Sequence, residues 1–193
     1  MTEPKRFAQA YVELRSEDPE AVSALGVARR RLEAGRDLER VRRWRLFEIT
    51  GTGLETESLA DRLHGSTQFY NPAKERCVVR ASDAEPAPAE ANEALVLVFE
   101  RGGERRGAAE RWWRRDAGKR AEVREGVVWA LTFAPGVDAA AKARELAVAR
   151  DRAHGLFANT QFQECRVCTG GMPPLGWMTQ RVARTPRRGG RST

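Results

Sequence analysis

Apolar and polar positions along the chain change period several times, and each change marks an element. "FAQAYVELR" (Phe7 to Arg15) alternates apolar and polar side chains, the period of a half-buried strand. In "SEDPEAVSALGVARRRLEAG" the period lengthens. Val22, Leu25, Ala28 and Leu32 fall at helical spacing, Ser16 or Asp18 can cap, Pro19 suits the first turn, and Gly35 ends the segment. "VRRWRLFEITG" (Val41 to Gly51) reads as a second strand, "LETESLADRLHG" as a short helix stopped by Gly65, and "RCVVR" (Arg76 to Arg80) as a third strand. The same order returns further on. "ALVLVFER" (Ala94 to Arg101) predicts a strand, "GERRGAAERWWRRDAG" a helix and "VREGVVWALTF" (Val123 to Phe133) a strand. "GVDAAAKARELAVARDRAHGLFAN" predicts a long helix starting near Asp138, and "FQECRVC" (Phe162 to Cys168) a closing strand.

Between these series lies "ASDAEPAPAEANEA" (Ala81 to Ala94), with Pro86 and Pro88 among small and acidic residues and no aromatic or β-branched side chain. That is linker composition. The two sides also share short motifs in the same order. Val41-Arg42 and Val123-Arg124 open the second strands, and Thr67-Gln68-Phe69 and Thr160-Gln161-Phe162 follow the second helices. Two β-α-β-α-β repeats are expected: 7–80 and the second at 94–168. They are joined by a linker at 81–93 and followed by a Gly/Pro segment and basic tail at 169–193.

Charge narrows the picture. The 193 residues carry 34 Lys and Arg against 27 Asp and Glu, a formal net charge of +7. Five of the arginines (Arg181, Arg184, Arg187, Arg188, Arg191) sit in the acid-free ending "RVARTPRRGGRST", which reads as a disordered tail. That tail is either a nucleic-acid tether or a solvated extension. The rest of the chain is close to neutral. No apolar run suits a membrane span and the N-terminus lacks a signal-peptide core, so the expected compartment is the cytoplasm, without a membrane partner. Three cysteines do not describe a secreted disulfide framework.

Catalytic chemistry finds little support. Cys165 and Cys168 form a C-x-x-C, and a zinc site would need two further ligands from Cys77, His64 and His154. The alternative is buried or incidental thiols. His64 and His154 each precede a glycine near the end of a second helix, where a cationic ring is favourable. No nucleophile–base constellation accompanies them, and no Gly-rich phosphate loop occurs. "ERWWRR" (Glu110 to Arg115) reads as a core or interface helix, or as a base-stacking platform. Neither a catalytic residue nor a cofactor is expected.

The second half resembles the PurS family, the small subunit of phosphoribosylformylglycinamidine synthase. Its members show V-R-x-G-K before an alternating strand, then a helix ending L-L-A-N-P. Here Val123, Arg124 and Gly126 match the first motif, with Val127 at the family's Lys. Leu156, Ala158 and Asn159 match the second, with Phe157 for Leu and Thr160 for Pro. In the first half Val41 and Arg42 match, and Trp44 replaces the Gly. The resemblance implies an α+β fold: two tandem PurS-like repeats, a two-layer sandwich whose mainly antiparallel sheets pack as a pseudo-dimer. It implies a non-catalytic subunit that bridges a glutaminase and an ATP-using synthetase for ammonia transfer in purine biosynthesis, with further homo-oligomerisation open. The contact residues expected are Arg42, Thr67, Gln68, Phe69, Arg124, Gly126, Asn159, Thr160, Gln161 and Phe162. A nucleic-acid-binding α+β module using the Arg-rich tail is the alternative.

Overall fold

A computed structural model describes residues 4–52, 54–55, 58–100, 108–117, 121–151 and 153–178. The basic ending from Arg181 lies outside the described residues. The chain runs β1 (Lys5–Leu14), α1 (Pro19–Arg31), β2 (Leu38–Thr52), α2 (Leu59–His64), β3 (Glu75–Arg80), β4 (Ala94–Glu100), α3 (Ala108–Ala117), β5 (Ala121–Phe133), α4 (Ala139–Ala147) and β6 (Gln163–Thr169), with a 3-10 turn at Glu33–Gly35. The strands form one six-stranded sheet in the order β3-β1-β2-β5-β4-β6, with every neighbouring pair antiparallel. The α+β class is as expected. The two halves meet edge to edge through β2 and β5 in a single sheet, and not as two sheets laid face to face.

Local chemistry sets the helix limits. The Asp18 carboxylate accepts from the Glu20 N–H, with Pro19 in the first turn. Asp138 caps α4 through the Ala141 N–H. The buried stripe of α1 runs through Ala21, Ala28 and, just beyond the helix, Leu32. Val22, expected inside, is 47% exposed, because Ala21, seven residues or two turns before Ala28, takes the face against the sheet. The long second helix expected from near Asp138 stops at Ala147. Val148 turns extended and bridges to Ala158, and the Leu156 and Ala158 N–H groups bond the Leu146 and Ala147 carbonyls. The returning chain thus takes up carbonyls that a continuing helix would have used. Gly155 makes the return possible: its φ is +77°, and a Cβ there would fall 1.6 Å from the Val148 carbonyl oxygen.

Strand alternation divides the core between the two faces of the sheet. On the helix side, one cluster joins Ala21 and Ala28 of α1 with Ala143, Leu146 and Ala147 of α4, over Val41, Val96 and Leu131. A second joins Leu59 and Leu63 of α2 with Trp112 of α3, over Ala10, Phe47, Ile49 and Val123. Each cluster therefore takes a first helix from one half and a second helix from the other. The opposite face carries Tyr11, Trp44, Leu46, Leu95, Leu97, Val128 and Ala130, covered by Trp177 and Met178 and by Ala87 and Ala89 of the connection between the halves. Among the described residues, no helix is long and apolar enough to cross a membrane.

Candidate functional site

The polar chemistry of the molecule concentrates on the face turned away from the helices. Gln9 and Glu48 are directly opposed in the β1–β2 ladder, and both side chains are buried. The Glu48 carboxylate accepts from Gln9 Nε2 at 2.8 Å and from the Gly176 and Met178 N–H groups, each at 3.1 Å. Tyr11 donates its hydroxyl to Gln9 Oε1 at 2.5 Å, and Arg80 Nη1 reaches the same oxygen and the Pro173 carbonyl. Arg124 Nη1 donates to the Met178 carbonyl at 2.7 Å. Residues 172–178 are thus strapped across the sheet by a buried carboxylate below and an arginine at the end. Burial pushes the Glu48 carboxyl up from its usual range, partly offset by Gln9, the two backbone N–H groups and Arg124. Burial likewise drives the Tyr11 phenol far above its usual value.

A second set of contacts docks the 81–93 connection, which expectation left as a free linker. Glu93 has its side chain fully enclosed and receives Arg42 Nη2 at 2.7 Å and Nε at 2.8 Å. Arg40 pairs with Glu90 at 2.5 Å. Arg42 lies over the Trp44 ring at 4.7 Å, and Trp44 Nε1 donates to Glu13. Arg80 bonds the Glu85 carbonyl and pairs with Asp83, whose carboxylate also takes the Leu175 N–H. The connection and the strap are therefore held by one polar network.

The two expected contact arginines each hold an irregular segment against the sheet: Arg42 holds the connection and Arg124 the strap. Gly126 sits opposite Phe99, and a Cβ there would come within 2.8 Å of the Val98 carbonyl oxygen and 3.2 Å of Met178 Cε. Gly126→Ala is expected to destabilise the protein by about 1–3 kcal/mol, because the clash is partly with backbone. Chemical denaturation measures it, and an unchanged midpoint would refute the close approach.

The two Thr-Gln-Phe segments are not structural counterparts. Thr67 and Gln68 are exposed, while Phe69 is 1% exposed and packs edge-on against Phe47 and Trp112. Asn159, Thr160 and Gln161 form an exposed turn, and Phe162 is 68% exposed. Phe157, by contrast, is buried and packs on Trp129. Phe69 lies eight residues before Cys77, which faces Val12, and Phe157 lies eight before Cys165, which faces Val98. The two buried phenylalanines thus stand at one spacing from a cysteine on an edge strand, which the two Thr-Gln-Phe strings do not.

The cysteines cannot share one ion. Cys165 packs with the helix-side core and Cys168 with the opposite face, so the C-x-x-C straddles its strand. Cys77 lies on the other edge of the sheet, five strand spacings or about 24 Å away. Burial pushes the Cys77 thiol up to about 11 and raises the other two. Among the described residues no group of three potential ligands gathers. The two histidines also part company. His64 ends α2 and contacts the Tyr70 hydroxyl, while His154 lies beyond α4 against Asp151. Trp112 is half-buried and packs edge-on against Phe69 in the helix-side cluster, as the core reading of "ERWWRR" expects. Comparison with family models, curated proteins and solved structures gave no match to this chain.

Proposed function

We propose that the chain is a fused pseudo-dimer of two PurS-like repeats. In this reading it is a non-catalytic scaffold subunit held between the glutaminase and synthetase subunits of a phosphoribosylformylglycinamidine synthase. The observation that supports the pseudo-dimer is one row of residues running straight across the sheet: Cys77, Val12, Arg45, Val127, Val98, Cys165. The row reads Cys-Val inward from each edge and meets at Arg45 opposite Val127. These two lie four residues beyond Val41 and Val123, the valines that open the matching Val-Arg pairs. Each half also orders its strands third, first, second from the edge inward. A two-fold relation between copies of one unit accounts for both regularities. Fusing the copies replaces a bimolecular association by an intramolecular one at high effective concentration.

The family's partners come into this reading through Val123-Arg124-x-Gly126 and Leu156-x-Ala158-Asn159. The exposed turn at 159–161 and the loop at 67–68 then offer contact surfaces at the ends of the fused pair. Co-expression with the glutaminase and synthetase subunits encoded in the same genome tests it. Expected are a three-component complex on gel filtration with ATP and glutamine present, and glutamine-dependent amidine formation that requires the chain. A chain that elutes alone, with that activity unchanged by its omission, would overturn the proposal.

A further inference from the structure

Among the described residues, the sheet ends at β6 on one side and at β3 on the other. An edge strand is a template for another chain unless proline, lysine, a bulge or a covering segment blunts it. β6 has neither proline nor lysine, and it pairs with β4 over seven consecutive residues without a register shift. Its sequence, Gln163-Glu164-Cys165-Arg166-Val167-Cys168-Thr169, is self-complementary in one register. When two such strands lie antiparallel across a two-fold axis at Cys165, each Glu164 faces the Arg166 of the other copy. Gln163 then faces Val167, and Phe162, 68% exposed just before the strand, faces Cys168. An axis one residue either way sets Glu164 on Glu164 or Arg166 on Arg166, so charge alone selects between these registers. β3 offers nothing comparable. Its only acid, Glu75, stands an odd number of places from Arg76 and Arg80 and cannot oppose either across a two-fold axis. The Arg80 side chain is moreover buried and held by Asp83 and the Pro173 carbonyl.

We propose that two copies of this chain join through β6, antiparallel about Cys165, into one continuous sheet of twelve strands. The interface is isologous, with the same edge used by both copies. Glu164 and Arg166 form two reciprocal ion pairs on one face. The Cys165 side chains meet on the other, beside the helix layer. Phe162, the most exposed large apolar side chain described, is covered by the partner copy. The row that runs from Cys77 to Cys165 in one copy continues into Cys165 of the next. This inference does not rest on the purine reading and stands or falls separately.

Sedimentation equilibrium on the full chain tests it, with circular dichroism to confirm that every variant is folded. The wild type is expected at twice the 21.6 kDa chain mass. Arg166→Glu or Glu164→Arg alone places like charges opposite each other twice, and is expected to weaken dimerisation by about tenfold or more. The two reversals combined restore the pairs and the dimer. Diamide, which takes up the two thiol hydrogens, should give a covalent dimer that Cys165→Ser abolishes and Cys168→Ser leaves intact. A chain that is monomeric across the accessible concentrations would overturn the proposal. So would a dimer that is indifferent to the single reversals, or one cross-linked through Cys77 or Cys168.

Discussion

Neither half of the chain is expected to fold when it is made without the other, and the two together are expected to fold as one. The prediction follows from how the clusters are shared. α1 shares one apolar cluster with α4, and α2 another with α3, so each cluster draws one helix from either side of the connection. The long strands β2 and β5 pair over 13 positions at the middle of the sheet. Cutting between Ala91 and Asn92, both exposed, gives fragments 1–91 and 92–193. Each fragment then carries a three-stranded sheet with its longest strand at a bare edge and its apolar face half uncovered. Trp44 and Leu46 lose Leu97 and Val128, while Leu146 and Phe133 lose Leu38 and Val41. A chain of that size buries a smaller fraction of its surface than the whole protein does and has little stability to lose. Far-UV circular dichroism of each fragment alone should show little native structure and no cooperative unfolding. Co-expression should return a complex with the intact protein's spectrum. A fragment that unfolds cooperatively by itself would show that its half owns a sufficient core.

The elements were legible in the sequence because their signals are local. Alternation placed β1, and short apolar-rich runs placed β4 and β6, within a few residues; Ser16 or Asp18 with Pro19, and Asp138, marked the two capped helix starts, and Asp18 is the residue that caps. The common order of the two halves was also legible, since Val41-Arg42 and Val123-Arg124 are set in the same context. What was not legible depends on contacts distant in sequence. Glu48 reads as a polar position in an alternating strand, and only its pairing with Gln9 and the approach of residue 176 bury it. "GMPPLGWM" shows no periodicity; as a Gly/Pro-rich apolar stretch it reads as packing across the other half or docking on a partner, and the sheet shows that it covers Trp44 and Leu97. The 81–93 stretch has linker composition, and yet Glu93 finds Arg42, because β2 and β4 flank β5 and bring Arg42 and Ala94 to either side of Ala130 and Leu131. The end of α4 was misplaced because Ala, Arg and Leu beyond Ala147 favour a helix locally, while hydrogen bonds from Leu156 and Ala158 decide otherwise.

Glu48→Ala should release the strap and cost about 3 kcal/mol or more, because it leaves the Gln9 amide and two backbone N–H groups without their acceptor in a dry layer. The loss should be structural at a defined place. Trp177, 6% exposed in the native protein, should become a site for chymotrypsin, while the helix-side clusters persist until global unfolding. The pH dependence separates this carboxylate from the others. Burial is the largest influence on Glu48 and raises its carboxyl above the ordinary value of about 4.3. Below that value both the folded and the unfolded chain hold the proton, and Glu48 contributes its full stabilisation. As pH rises, the unfolded chain gives up its proton first. Stability from this group therefore falls from the ordinary carboxylate value up through the folded one, and then levels. The exposed acids Glu90 and Asp151, lowered by Arg40 and by the Ala153 N–H respectively, act in the opposite sense. They are common to both proteins, so subtracting the variant's profile from the wild type's removes them. The remaining difference in unfolding free energy should be widest in acid and should narrow with rising pH. A gap that widens with pH would mean that Glu48 is held below its ordinary value. Its bonds to Gln9, residue 176 and Met178 would then outweigh its burial, and the strap would be fastened more tightly at neutral pH than in acid.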